Sequence, residues 1–477
     1  MESAFATSPT VASPAFRKNA STRNRSALPS ALSRRWTSLF PSMEPLREVY
    51  MQHILSLFER HPTMRIRHPR ETLAKTRTRE RPMTLPKNTA RWLGSYAVGL
   101  LADQAYYLSL SWYAAALTPD PMVVGTVMGI GSLPRALLLL PGGMLADRFG
   151  TKRVATISSA LKAAVIFIAC LSAARSGAET VTGLAMTAVL VGAFDAIFLP
   201  AIQSMPWAVA EPSRVPMVQK QFSVVQRCGV VLGPALAGLM LAQWPVALVY
   251  GAIGACFALS AVALNSVTTR TGPDDIDAHP QKGTLRTLVE LMQKRPCRAM
   301  LALVAVSELV CSGAFSTGIT LLVDYRGWGA ATMGLLVTAY GAGSVAGAAA
   351  SLTSRGRHPL GLVVAASMTV MGIALCLVAA SPSAELAAAG VALSGAAAGE
   401  ASAFLTASYL GSVESGEGGR SMAVLSLASF GTASLSSFLC GAIAQAWGAA
   451  AVFTVFGFAL VAIAVWAARC AALRIPV

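Results

Sequence analysis

The sequence predicts an all-α membrane protein with twelve transmembrane helices arranged as two six-helix bundles. Hydrophobic residues make up 54% of the 477 residues and charged residues only 13%, a composition typical of a polytopic membrane protein. Apolar segments of about 20 residues recur from Trp92 to the C-terminus, and each is long enough to cross a bilayer as a helix. Polar residues inside these segments recur at a similar spacing in the two halves of the chain, which indicates two related bundles.

The apolar segments and the loops between them set the predicted domain boundaries. A basic N-terminal extension covers 1–88, a first bundle 89–267, a cytoplasmic linker 268–298 and a second bundle 299–477. Within the linker, 284–295 has the pattern of a short amphipathic helix on the membrane surface. The predicted spans are 92–117, 122–144, 154–174, 181–202, 222–243, 246–267, 299–323, 331–353, 359–380, 385–409, 421–445 and 448–470.

Three interpretations of the first 88 residues are open. The segment holds sixteen Lys and Arg against six acids before Ala90, and Arg- and Ser-rich composition is typical of a transit peptide. It also fits a disordered cytoplasmic tail. The interpretation that we favour is that translation begins later, at Met51, Met64 or Met83.

Loop charge predicts the orientation of the helices. One set of loops is rich in Lys and Arg, whereas the opposite set has almost no net positive charge. The positive-inside rule then places both termini and the linker in the cytoplasm, in a multi-pass protein of the cell inner membrane. The basic loops contain Arg148, Lys152, Arg153, Arg214, Lys220, Arg270, Lys282, Arg286, Lys294, Arg295, Arg298, Arg355, Arg357 and Arg420.

Polar landmarks suggest that the two bundles are repeats. Asp103 and Glu308 are 205 residues apart, and so are Asp195 and Glu400. Other pairs recur at nearly the same offset: Gly143 with Gly347, Gly238 with Gly441, and Trp244 with Trp447. This pattern predicts parallel repeats that bind a substrate at their interface near the membrane midplane.

Charged side chains deep in the spans are the candidate transport residues, because each is destabilising unless it is paired or hydrated. Asp103, with Gln104 and Tyr107 near it on the helix, is interpreted as a protonatable carboxylate in a central cavity. The alternative is a structural ion pair with Arg135, which follows Pro134 in span two. Arg135 is a candidate for binding an anionic substrate group or for neutralising Asp103.

Other charges also lie within predicted spans. Glu308 is the second candidate for proton coupling, since it is the predicted repeat mate of Asp103. Asp195 and Arg227 are predicted to form a structural pair, and Glu400 lies among small residues where helices pack closely. Lys162 is interpreted as structural or as snorkelling toward the interface.

Two glycine-containing segments have recognisable spacing. The turn at 142–153 is charged and lies between two apolar spans, where Lys and Arg favour the cytoplasmic surface. In span five, Gly229, Gly233, Pro234 and Gly238 predict a kinked, close-packed helix. The turn residues that we single out as a conformational latch are Gly143, Asp147, Arg148, Gly150, Lys152 and Arg153.

Other side chains give weaker indications. The eight cysteines have no C-x-x-C spacing and the histidines form no ligand set, so we predict neither a metal site nor a cofactor. No nucleophile–base set argues for an enzyme, and the positive charge fits membrane topology better than nucleic-acid binding. Aromatic residues that are candidates for lining a cavity are Tyr106, Tyr107, Trp112, Tyr113, Phe194, Phe198, Trp207, Phe315 and Tyr340.

Several of these stretches together resemble the major facilitator superfamily. The turn at 142–153 resembles the signature between its second and third helices. Gly229–Gly238 resembles its antiporter motif, with Ala237 replacing a glycine, and this resemblance implies a role in efflux, with simple helix packing as the alternative. The segments 133–148, 192–201 and 233–234 are similar to the enterobactin-exporter branch, although span four carries Asp195 where many proton-coupled members have an arginine.

The resemblance implies a major facilitator fold and a secondary active transporter. We expect a monomer in the lipid bilayer that exports a small molecule, with a siderophore as the favoured substrate, by proton antiport. The alternative is a broad-specificity multidrug efflux transporter of the same fold.

Overall fold

The described part of the chain between Pro86 and Leu473 consists mainly of long helices. In a computed structural model, residues 86–176, 180–211, 213–270, 292–353, 359–412 and 418–473 are described. The N-terminal extension, most of the predicted linker helix, Arg355 and Arg357 lie outside these ranges. The helices are α1 (Lys87–Leu117), α2 (Pro121–Phe149), α3 (Thr151–Ser176), α4 (Val181–Val209), α5 (Val215–Gln243), α6 (Val246–Asn265), α7 (Arg295–Arg326), α8 (Gly329–Ser351), α9 (Leu360–Ala380), α10 (Ala384–Gly411), α11 (Gly418–Trp447) and α12 (Ala449–Arg469).

The twelve predicted helices are confirmed within the described part of the chain. Eleven of them are long and apolar enough to cross a membrane. The exception is α1, which has 31 residues but carries Asp103, Gln104 and several Tyr and Ser residues. The polar residues that lower its hydropathy are the same residues that made α1 a candidate for function.

Within each half, successive helices alternate in direction, because the connections between them are short. Asn88, at the start of α1, exchanges two hydrogen bonds of 2.7 and 2.8 Å with the backbone of Thr268, just after α6. The start of α1 and the end of α6 therefore lie at one end of the bundle, which we call the proximal end. The α2–α3 turn, where α2 ends at Gly150 with φ 89°, lies at the same end. The opposite end, which holds the α1–α2 turn, is the distal end.

The two halves, α1–α6 (the N half) and α7–α12 (the C half), repeat the same helix packing. In the N half α2 packs on α4 and α3 on α6, and in the C half α8 packs on α10 and α9 on α12. The spacing between the starts of α1 and α7 is the same as that between α2 and α8. The last three helices of each half also share one constant spacing, which is slightly smaller.

These helix starts correct the repeat register expected from sequence. When the starts of equivalent helices are aligned, Asp103 corresponds to Cys311 and Asp195 corresponds to Ala398. The expected offset of 205 residues between repeat mates is therefore wrong by less than one helical turn. Glu308 was mistaken for the mate of Asp103 because residues three or four apart lie near the same helix face and mimic a repeat.

A π turn at Ala314–Gly318 adds one residue to α7. Beyond this turn, equivalent residues of α1 and α7 are in contact where the two halves meet. Ser111 of α1 and Thr320 of α7 are hydrogen-bonded to each other at 3.0 Å. The π turn therefore adjusts the register of the C half where it meets the N half.

The two halves meet most closely toward the distal end, where glycines allow helix backbones to touch. A Cβ on Gly125 of α2 would lie 2.8 Å from the Cα of Gly441 in α11. A Cβ on Gly238 of α5 would lie 2.8 Å from the Cα of Gly334 in α8. When the starts of equivalent helices in the two halves are aligned, Gly125 corresponds to Gly334 to within one position, and Gly238 corresponds to Gly441. The two crossings are therefore equivalent under the repeat. Small residues at both crossings permit the close packing on which helix association in membranes depends.

We predict that Gly125→Ala destabilises the protein by about 1–3 kcal/mol, because the added methyl overpacks a backbone crossing. It would approach the carbonyl oxygen of Ser437 to 2.6 Å. Thermal unfolding in detergent measures the effect. The matched control is Gly431→Ala on α11, where an added Cβ meets nothing within 4 Å. Equal melting temperatures for the two variants would contradict the proposed crossing.

Candidate functional site

Lys162 is the centre of an ion cluster inside the N half. Its ammonium group donates hydrogen bonds to Asp103 at 2.8 Å and to Asp195 at 2.7 Å, and its side chain is 1% exposed. The rings of Phe198 and Phe257 lie 4.5 and 4.6 Å from the same nitrogen. Lys162 thus ties α3 to α1 and α4 in an environment where an unpaired ammonium would be strongly destabilising.

Arg135 closes the cluster on its other side. Its guanidinium pairs with Asp195 and also donates to the Tyr107 hydroxyl at 2.7 Å. The Tyr107 hydroxyl donates in turn to Asp195 at 2.5 Å. Arg135 also lies over the ring of Phe430 in the C half, with 5.5 Å from its central carbon to the ring centre. Two carboxylates and two cations therefore balance each other, and the ion cluster has no net charge when all four are ionised.

This geometry corrects three expectations about partners. Asp103 pairs with Lys162 and not with Arg135, whose partner is Asp195. Lys162 does not snorkel, since it is buried between two carboxylates. Arg227 is exposed on α5 and does not pair with Asp195, so the prediction of a buried Asp195–Arg227 pair is wrong. The helical periodicity of α5 alone could not show which face of that helix turns away from α4.

A cavity of about 440 Å³ lies between the two halves. The N half contributes α1, α2 and α5, and the C half contributes α7 to α11. The lining extends from Ser111 and Met128 to Thr406, which is near the proximal end of α10. The cavity therefore lies on the proximal side of the glycine crossings. The sequence-predicted site residues that line it are Gln104, Tyr107, Pro234 and Glu308, together with Phe315 and Tyr340 from the candidate aromatic residues.

Glu308 is the single ionisable carboxylate in this lining, and no described residue gives it a hydrogen bond or an ion pair. The rings of Phe315 and Tyr340 stack nearby in the same lining, with their centres 3.9 Å apart. Among the described residues that line the cavity there is no Lys or Arg. The cavity is thus an apolar and hydroxyl-rich space with one carboxylate and several aromatic faces.

The repeat mates of the ion cluster carry no charge. Cys311, Met371 and Ala398 stand where the N half has Asp103, Lys162 and Asp195. The thiol of Cys311 lies 4.0 Å from the sulfur of Met371, so this pair occupies the place of the Asp103–Lys162 ion pair.

Glu400, which sequence analysis matched to Asp195, has a different environment in the C half. It accepts a hydrogen bond of 3.1 Å from Ser367 of α9. Its contact is with a neutral hydroxyl, whereas Asp195 lies between two cations. The two acids therefore do not have equivalent roles.

The latch residues lie together at the proximal end. Gly143, Asp147, Arg148, Gly150, Lys152 and Arg153 occupy the end of α2 and the start of α3, and several line a second pocket of about 540 Å³ there. The close approach at this point is between α2 and α4. A Cβ on Gly142 would lie 2.5 Å from the carbonyl oxygen of Ala196.

The glycines of span five hold α5 against two helices. Gly229 and Gly233 face Leu100 and Gln104 of α1, whereas Gly238 and the Pro234 carbonyl face Gly334 of α8. The predicted close packing is therefore present. Because Pro234 also lines the cavity, this segment joins the N-half interior, the cavity wall and the contact between halves.

Twelve helices in two pseudo-symmetric halves around an interfacial cavity define a membrane transporter. The model of the Major Facilitator Superfamily matches residues 92–428, which is more than half of the chain, and the chain belongs to this family. Its members transport small molecules across lipid bilayers and are not enzymes. The chain is therefore a multi-pass membrane transporter.

Similar proteins agree with this family and fold. The uncharacterized MFS-type transporter YfiS of Bacillus subtilis (strain 168) is 26% identical over 173 residues, which cover 36% of this chain and 40% of that protein. The match thus spans less than half the length of that relative.

Solved structures share the fold at low identity. A bacterial homologue of the iron transporter ferroportin, in an inward-facing state, has a TM-score of 0.62 and 15% identity, and covers 81% of this chain and 100% of its own. The POT family transporter PepTSo has a TM-score of 0.63 and 12% identity, with 81% and 97% coverage. A bacterial homologue of the lysosomal transporter Spinster has 0.61 and 14%, with 79% and 93%.

Sequence analysis found most of the charged residues but missed two features of the site. Lys162 was visible as a lysine inside an apolar span, but its position between two carboxylates was not. Phe315 and Tyr340 are both among the predicted cavity aromatics, but their stacking on each other had no distinct signal, because aromatic residues recur in many spans. Serines at 307, 312 and 316 of α7, which all line the cavity, were a usable signal for a hydrated wall.

We predict that Lys162→Met destabilises the protein by about 3–5 kcal/mol, because it leaves the Asp103 carboxylate buried without a cation. Asp195 keeps Arg135. Thermal unfolding in detergent measures the loss, and adding Asp103→Asn should restore part of it. The control is Lys152→Met in the α2–α3 turn, which should change stability by about 0.5 kcal/mol or less. A Lys162→Met variant as stable as this control would rule out the central role of Lys162.

Proposed function

We propose that this chain exports a small molecule in exchange for protons, and that Glu308 carries the coupling. The observation that supports this proposal is the position of Glu308 in the central cavity without a partner among the described residues. An unpaired carboxylate at membrane depth is destabilising, and it is stabilised by binding either a proton or a polar group of the substrate. The proton and the substrate compete for this one carboxylate. If the cavity opens to each side of the membrane in turn, this competition couples their movement in opposite directions.

Asp103 is a second candidate for proton transfer. Its side chain is 18% exposed and is held by Lys162, so protonation of Asp103 requires that ion pair to break. Tyr107 links the ion cluster to the cavity, because it contacts Arg135 and Asp195 and also lines the cavity wall. We propose that the N-half cluster responds to the cycle, whereas Glu308 exchanges the proton.

We propose that the proximal end faces the cytoplasm. Lys87, Arg91, Lys152, Arg153 and Arg270 lie at that end, and positive charge favours the cytoplasmic side. The distal end is then closed by the glycine crossings, and the cavity is placed to receive substrate from inside the cell. In this proposal the protein is a monomer of the cell inner membrane, and the latch at the α2–α3 turn responds to closure of the proximal end.

Two substrate classes are candidates. A siderophore is the substrate suggested by the resemblance of 133–148 and 192–201 to exporters of that kind. A broad-specificity efflux function is favoured by the cavity lining, in which Met128, Phe315 and Tyr340 provide adaptable and aromatic surface and no described Lys or Arg offers a charge to an anion.

We predict that Glu308→Gln abolishes substrate-driven proton release. In energised everted vesicles, a transported compound dissipates the pH gradient reported by an acridine dye, and the uncharged amide removes the exchangeable proton. Ethidium and a catecholate siderophore are the two compounds to add. Glu385→Gln, an exposed acid at the start of α10, is the control and should behave as wild type. Full dissipation by Glu308→Gln would exclude Glu308 as the coupling residue.

We predict different phenotypes for the two substrate classes in a strain that lacks this protein. If the substrate is a siderophore, less of it should reach the medium under iron limitation, and growth should recover when the wild-type chain is restored. If efflux is broad, siderophore in the medium should be unchanged while ethidium sensitivity increases. Chromatography of the medium and growth with ethidium measure the two outcomes.

A further inference from the structure

The charge of the cavity depends on a difference between the two halves in their buried charged residues. In the N half, Lys162 and Arg135 neutralise Asp103 and Asp195. In the C half, the matched positions hold Cys311, Met371 and Ala398, and all three line the cavity. Neither set contributes net charge, so the charge of the described part of the cavity wall is that of Glu308.

Glu308 has no counterpart in the N half. Alignment of the starts of α1 and α7, at Lys87 and Arg295, matches Glu308 with Leu100, an apolar residue. The carboxylate is thus an addition to the C half that the helix-packing symmetry does not require. No described residue pairs with it, so within the described part of the chain the charge of this carboxylate is not compensated.

The neighbours of Glu308 favour an organic cation over an inorganic one. Within the described residues, no group of three or more His, Cys, Asp or Glu could hold a metal ion. The lining instead offers the rings of Phe315 and Tyr340, and aromatic faces attract ammonium and related cations. The π turn of α7 contains Phe315 and Ser316, so it places an aromatic ring and a hydroxyl against the same space.

We infer that the cavity binds a monovalent organic cation, with its charge on Glu308 and its apolar body on the Phe315–Tyr340 stack. This inference rests on the proposed function, because it names the substrate class of the same site. The cavity of about 440 Å³ is within the range of small-molecule sites. A proton and a substrate of this kind carry the same charge, so either one can neutralise Glu308.

Equilibrium binding to the purified full chain in detergent tests this inference without a gradient. The probes are tetraphenylphosphonium and the neutral triphenylphosphine oxide, measured by calorimetry at mildly alkaline pH. We expect the wild type to bind the cation about tenfold or more tightly than the neutral probe, since only the cation gains the ion pair and the cation–π contacts. No preference for the cation would overturn the inference, and this comparison needs no variant.

Two variants locate the site. Glu308→Gln should reduce affinity for tetraphenylphosphonium by about tenfold and leave the neutral probe nearly unchanged. Asp324→Asn, which removes an exposed acid from the distal end of the same helix, should leave both affinities unchanged. Cation affinity that is unaltered in a folded Glu308→Gln variant would also overturn the inference.

The outcome separates the inference from the proposed function. A charge preference in binding, without any proton-driven transport in vesicles, would support the inference and reject the exchange mechanism. Proton-driven transport that depends on Glu308, without a preference for the cation, would reject the inference and keep the exchange mechanism.

Discussion

The ion pairs of Lys162 with Asp103 and Asp195 are the constraint on which the rest of the site depends. They fix α1, α3 and α4 to one another, and Arg135 adds α2 through Asp195. Because these four charges satisfy each other inside the N half, they do not determine the charge of the cavity. Among the described residues that line the cavity, Glu308 carries that charge, and the proposed exchange of proton and substrate rests on its having no partner among them.

The two halves have the same packing but different interiors. Their helices pair in the same way, and the halves contact each other at two glycine crossings. Gly125 contacts Gly441 at one crossing, and Gly238 contacts Gly334 at the other. The N half fills the interior with salt bridges, whereas the C half has the Cys311–Met371 contact in the corresponding place. The C half therefore lines the cavity with Met371, aromatic rings and an acid that has no partner among the described residues, which suits a site that accepts different small molecules.

The sequence predicted the twelve helices, because apolar length is the dominant signal of a membrane span. It also identified Asp103, Asp195 and Arg135 as buried charges, since such residues are rare in lipid. It could not predict their pairing, because Arg227 and Lys162 both lie within spans of the same half and only rotation about the helix axes decides which one meets Asp195. The alignment of the two repeats was wrong for a related reason. An error of less than one helical turn leaves Glu308 on nearly the same face of α7 as Cys311, the residue that corresponds to Asp103.

Proton release on ligand binding tests the central claim most directly. Tetraphenylphosphonium is added to the purified chain in weakly buffered detergent solution near neutral pH, with a pH indicator dye to count protons. If one carboxylate holds a proton or a cation in turn, cation binding should release protons from the wild type, up to one for each cation bound and fewer as the pH is raised, and none from Glu308→Gln. Binding without proton release in the wild type, or equal release in the variant, would contradict the account.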